Sequence, residues 1–314
     1  MPSKPFISPD REERGRHASS KRPAAQGKAA ARTLVSCLFS FLLSLLLLAG
    51  SALVVAKTGF TEENIQSVAD IVFAGMVREE AQEAAVDYTL PTGIDSGVLD
   101  GLFDRQTTKE HLEGSIHAAY TGEDYKADTS ELEQRLGANV KASFAGEGYS
   151  FDAETQAAVD AYCSDIAAIY QNRLKLPVVG VLVRVHQVID RFFSVAVSGI
   201  AVLSALLELL LIRLYHLPHH ALRYWCYATG ATAIEAFAAP YALYVSGVYR
   251  QLNVTPQSFH RFLVNLCESV LKRCFFAAGL WLAVTLVLFG AVALMRMRLQ
   301  KKHSTHHVHH HHAA

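Results

Sequence analysis

The sequence has no Cys-x-x-Cys pair and no cysteine or histidine spacing of the kind that holds zinc. Its five cysteines, Cys37, Cys163, Cys226, Cys267 and Cys274, are scattered. Cys267 and Cys274 share one expected helix about 10 Å apart in rise, so they cannot bond each other. A bond from Cys163 to either of them stays open. Gly-x-Ser-x-Gly, the Walker loop and His-Glu-x-x-His are missing, as is any Ser, His and Asp grouping. With no catalytic constellation, the chain is expected to be non-enzymatic and to carry no cofactor. Strand-type alternation is missing as well. The one exception is the Val-rich run 178–185, which fits strand or helix.

Charge is nearly absent from four long stretches, residues 34–56, 192–214, 224–249 and 274–294. A helix that crosses a bilayer needs roughly 20 apolar residues, and each stretch meets that length. The expected fold class is therefore an all-α integral membrane protein. It has four transmembrane helices and a helical extracytoplasmic domain inserted between the first and second. Stretch 34–56 is longer than a secretory signal core, so it is expected to be an uncleaved anchor.

The charges that are present are segregated. Residues 1–33 hold eight Lys/Arg and three Asp/Glu, whereas residues 57–191 hold eleven and twenty-three, a formal charge of −12. Short basic flanks set the direction of threading. The tail 1–33, the turn 215–223 with its flanking Arg213 and Arg223, and the tail 295–314 are all basic. This places both termini in the cytoplasm of a multi-pass cell-membrane protein. Residues 57–191 and the loop 250–273 then lie outside, although Arg250, Arg261, Lys272 and Arg273 put some basic charge there.

The tail 1–33 lacks periodicity and reads as disordered and attracted to anionic lipid. It lacks the aromatic interleaving of a nucleic-acid binder, so no nucleic-acid partner is expected. Region 57–191 reads as a series of capped helices. Thr61 opens the first, with Ile65, Val68, Val72 and Met76 at helical spacing. Capping patterns at Thr107–Glu110 and Ser130–Glu133 and a cap at Asp152 open three more. Residues 178–191 lead into the second span, either along the interface or as a stalk. In 250–273, Phe259, Phe262, Leu263, Leu266 and Val270 form one apolar face. That face can rest on lipid or pack on the acidic domain.

Two acids lie within the apolar stretches. Glu208 sits about 7.5 Å from the cytoplasmic end of its helix, where snorkelling or pairing with Arg213 or Arg223 explains it. Glu235 lies roughly 18 Å deep, near the bilayer middle, beside Pro240, whose ring frees a backbone carbonyl. It fits either a carboxyl hydrogen-bonded to a neighbouring helix or a proton or cation site. Ser36, Ser40 and Ser44 recur at four-residue steps as a helix-packing face. His216, His219 and His220 form a weak metal-binding candidate without an acid or thiol to fix geometry. His303, His306, His307, His309, His310, His311 and His312 would chelate metal adventitiously, whether the tail is native or an added tag.

The order of one span, a large outer domain and three close spans resembles FtsX-type and MacB-like permease subunits of ABC systems. That resemblance, of topology over the whole chain, implies a transporter subunit with a separate ATPase subunit as partner and Glu235 in the bundle. The first span, helical domain and second span also resemble the input half of bacterial receptors. The residues themselves favour a lipid-embedded protein whose domain 57–191 binds a protein partner or senses, in an envelope assembly.

Overall fold

In the computed structural model the described residues are 22–146, 152–215 and 218–309, with side chains described for 31–146, 152–215 and 221–297. Regular structure among them is all helical, with no strand. The first helix, α1, spans Arg22–Gly59. It starts inside the stretch expected to be disordered, because 24–33 is rich in Ala, Lys and Arg, which favour helix, and Pro23 suits a first turn.

Next come α2 (Glu62–Val68) and α3 (Ile71–Thr89), which the apolar spacing had suggested as one helix. Asp70 breaks them. Its carboxylate accepts the Phe73 backbone N–H at 2.9 Å and caps a new helix instead of continuing the old one. After short 3-10 turns at Leu90–Thr92 and Ser96–Leu99 comes α4, Arg105–Thr121. Its cap is Asp104, three residues before the expected Thr107, and Asp104 takes both the Thr107 backbone N–H and its hydroxyl. Gly122 ends it at φ 79°, a left-handed turn that favours glycine.

Helices α5 (Ser130–Gly146) and α6 (Ala153–Leu174) follow, α6 capped by Asp152 as expected. Helix α7, Pro177–Leu214, absorbs the 178–185 run and the second apolar stretch without a break. Helix α8 spans Pro218–Ser246 and passes through Pro240. Helix α9, Gln257–His309, joins the amphipathic segment, the last apolar stretch and part of the tail, which had been expected as three elements. No glycine or proline lies in 257–278 to stop it.

Three helices are long and apolar enough to cross a membrane: α1, α7 and α9. Only 11% of the apolar window is buried in α7 and in α9, and Phe276 and Val287 stand 76% and 72% exposed. Side chains of that kind cost about 1.5–3 kcal/mol each when left in water, which suits them to lipid. Helix α8 is long enough, at about 43 Å, but less apolar, because Tyr, Thr, Gly and Glu235 dilute it.

The chain divides into two units. One comprises Ala52–Val195 and Ala238–Phe276. Its core is built from Ile65, Phe73, Val77, Leu99, Leu112, Ile116, Leu136, Ile166 and others on α2–α6, with Val179 and Val183 from the start of α7. Phe262 and Leu266 of α9 join it, and Phe262 lies 5.6 Å from Phe73 between ring centroids. The amphipathic segment of α9 thus packs on the acidic helices. Its N-terminus is held by Glu80, which accepts the Ser258 backbone N–H and hydroxyl at 2.7 Å each. Lys57 pairs with Asp190 at 2.8 Å, so the end of α1 and the middle of α7 meet.

The other unit comprises Met1–Ser51, Ala196–Phe237 and Ala277–Ala314. Leu43, Leu207 and Ala228 form its small apolar centre. Around it runs a ladder of small polar side chains. Ser36 donates to Tyr215 Oη at 2.9 Å, Ser40 to the Tyr224 carbonyl at 2.9 Å, and Thr232 to the Ser44 carbonyl at 3.2 Å. Trp281 Nε1 donates to Ser51 at 2.7 Å, and Thr285 to Thr229 at 3.0 Å. Ser36, Ser40 and Ser44 are buried, so they do form a packing face.

Candidate functional site

Among the residues singled out from sequence, Glu208 is half-buried on α7. No ion pair joins it to Arg213 or Arg223 among the described residues, and Arg223 Nε donates instead to Tyr227 Oη at 2.5 Å. Glu235 is half-buried on α8, and its Oε2 is enclosed with no hydrogen-bond partner among the described residues. Pro240 lies within α8, five residues on.

His216 lies outside the described residues, and His219 and His220 are described only in backbone, on the first turn of α8. His303, His306, His307 and His309 are likewise described in backbone only, at the end of α9, while His310, His311 and His312 lie outside. Among the described residues no three His, Cys, Asp or Glu are grouped to hold a metal ion. All five thiols are free, so the Cys163 bond left open by sequence does not form; Cys163 is buried in the helical core. That burial pushes its thiol up to about 11.

Sequence reasoning missed a cleft of about 240 Å³ in the acidic unit, where α4, α5 and α6 converge. Its buried floor is Phe103 and Tyr170, stacked with ring centroids 5.3 Å apart. Tyr170 Oη donates to Thr108 Oγ1 at 3.3 Å, and Thr108 Oγ1 donates to the Asp104 carbonyl at 2.6 Å. The Tyr170 oxygen is therefore left as acceptor for His111 Nδ1, 3.0 Å away. This chain assigns the His111 proton to Nδ1 and leaves Nε2 with its lone pair. Burial pushes His111 below its ordinary value against the pull of Glu110 and Asp128. Burial also holds the Tyr170 phenol up at about 12.

The rim carries three carboxylates and one guanidinium. Asp104 caps the start of α4, and Asp128 lies two residues before α5, where its carboxylate accepts the Ser130 N–H and hydroxyl. The Thr107 backbone N–H holds the Asp104 carboxyl below the usual range, and the Ser130 hydroxyl and N–H do the same for Asp128. Glu131 and Arg135 of α5 complete the rim. The cleft residues come from three separated segments, so no local spacing betrays them. The one hint was the row of polar residues at the two helix starts.

No protein-family model matches this chain, and no curated protein and no solved structure matches it.

Proposed function

We propose that this is a four-span membrane protein whose acidic helical unit faces out of the cytoplasm and binds a protein partner or senses, without catalysis of its own. The observation that carries this reading is helix continuity. Two helices that contribute side chains to the acidic unit's core, α7 and α9, run on unbroken into apolar stretches suited to lipid. A continuous helix leading from a folded domain into lipid suits a receiving domain.

Two further observations support the outer placement. Two of the four basic residues that conflict with it are engaged within the protein: Arg250 pairs with Glu268 at 2.7 Å, and Arg273 donates to Asn64 Oδ1 at 2.7 Å. Residues 57–191 are too long to be governed by the charge rule at all. Crosslinking the full chain in intact cells, through a photoreactive residue placed at exposed Tyr88 or Glu131, should trap an envelope protein. Recovery of the chain alone from both positions would remove the partner half of the proposal.

A transporter subunit working with an ATPase is the second reading, favoured by the enclosed, unpartnered Oε2 of Glu235. Glu235→Gln separates the two. It leaves crosslinking intact if the protein receives a partner, and it abolishes flux or growth dependence if the carboxyl carries a cation.

A further inference from the structure

The cleft under α4, α5 and α6 has an uneven supply of hydrogen-bonding groups. Asp104 Oδ2 takes both Thr107 donors and Asp128 Oδ1 takes both Ser130 donors, so each carboxylate leaves a second oxygen for an incoming donor. His111 Nε2, with its proton assigned to the other nitrogen, is a further acceptor. Glu131 adds a fourth. Against these stands one cation on the rim, Arg135, which makes no ion pair among the described residues. Its guanidinium presents a fork matched to a carboxylate.

A rim that carries several acceptors and one guanidinium can complement a zwitterion. An ammonium group would meet Asp128 and His111 Nε2, and a carboxylate would meet Arg135. The floor of Phe103 and Tyr170 with Leu132 offers apolar contact to whatever lies between. The volume, about 240 Å³, is below that of drug-sized sites and suits a molecule of a few heavy atoms. No three His, Cys, Asp or Glu side chains among the described residues are grouped to hold a metal ion.

We infer that this cleft binds a free α-amino acid, with Arg135 holding its carboxylate and Asp128 its ammonium. The inference deepens the sensing reading above and rests on it for biological meaning, though the binding itself does not depend on it. Arg135 and Asp128 are exposed, so substituting them does not threaten the core.

The test uses the full chain in nanodiscs. Thermal shift and calorimetry are read against the proteinogenic L-amino acids singly, with n-butylamine and butyrate as probes carrying one charge each. At least one amino acid should raise the melting temperature and bind, while neither single-charge probe does. Arg135→Gln should weaken that binding about tenfold to a hundredfold, as expected for loss of a charged hydrogen-bonded pair, and Asp128→Asn should weaken it comparably. The inference is overturned if no amino acid binds, if butylamine or butyrate binds as well as any amino acid, or if Arg135→Gln binds like the parent. The sensing reading fails separately. Amino-acid binding that Arg135→Gln abolishes, with no change in the partner crosslinked with or without the amino acid, sinks the sensor and leaves the site.

Discussion

Asn64 ties together three segments at the base of the acidic unit. It is buried, its Nδ2 donates to the Gly59 carbonyl at 2.6 Å, and its Oδ1 accepts from Ser269 at 2.8 Å and Arg273 at 2.7 Å. Leucine has a similar volume but none of those bonds. Asn64→Leu should therefore lower stability by about 1–3 kcal/mol, the cost of stranding buried polar partners, read as a lower denaturant midpoint in detergent. The carboxylates at the helix starts act differently. Asp104, Asp128 and Asp152 are all held below the usual carboxyl range by the groups that donate to them. A depressed folded value means the stabilisation is complete above the unfolded value of about 4 and is lost as pH falls through the lower folded value. Asparagine caps as well but does not titrate. The triple variant Asp104→Asn, Asp128→Asn, Asp152→Asn should lose less melting temperature than the parent on acidification through that window. Equal losses would show that these carboxylates do not set the acid limit.

At the scale of elements, α9 is the sharpest case. Its first turns belong to the acidic unit, where Phe262 is fully buried against Phe73. Phe262→Ala should cost about 3–5 kcal/mol, and the loss should appear as melting of the acidic unit. A change below about 1 kcal/mol would mean the segment lies free of that core. The apolar face of Phe262 and Leu266 was legible in the sequence, but what covered it was not, because an amphipathic helix fits lipid and protein alike. The helices of 57–191 were legible from their spacing, and Asp152 and Gly122 from their types. The break at Asp70 was hidden because Ile65, Val68, Val72 and Met76 keep helical spacing across it, and a single capping carboxylate overrides that pattern. Asp104 was missed in favour of Thr107 because several nearby residues can cap, and only the path of the backbone selects among them. The cleft was invisible for a related reason: His111 and Tyr170 meet through tertiary packing, at a sequence distance that no motif spans.

For the whole molecule, the parity of crossings decides where the ends lie. Three crossing helices put the termini on opposite sides, and four put them on the same side. Helix α8 is the less apolar one, yet Thr229 and Thr232 are buried and hydrogen-bonded to α9 and α1, which lowers the cost of placing them in lipid. With the native cysteines replaced, Arg296→Cys and Arg22→Cys should both be closed to an impermeant maleimide in intact cells, and Asp100→Cys should be open to it. Labelling of just one terminus would leave three crossings and put α8 on the membrane surface.

The serine ladder of α1 has a consequence for how the chain is made. Ser44 and Thr232, which meet in the finished bundle, are 188 residues apart. In the proposed topology α1 leaves the ribosome and enters the bilayer long before its partner exists. Two of its serines have an answer for that interval. Ser44 bonds back to the Phe41 carbonyl at 2.8 Å and Ser51 to that of Leu47 at 2.8 Å, and Ser36 has the Arg32 carbonyl within 2.9 Å as an alternative to Tyr215. These hydroxyls can be satisfied within their own helix, so α1 can wait in hydrocarbon at lower cost until α8 arrives to take the Ser40 proton. The late-arriving α8, with its diluted hydropathy, would then be retained by a helix already in place, which makes insertion order part of what the sequence of α1 encodes.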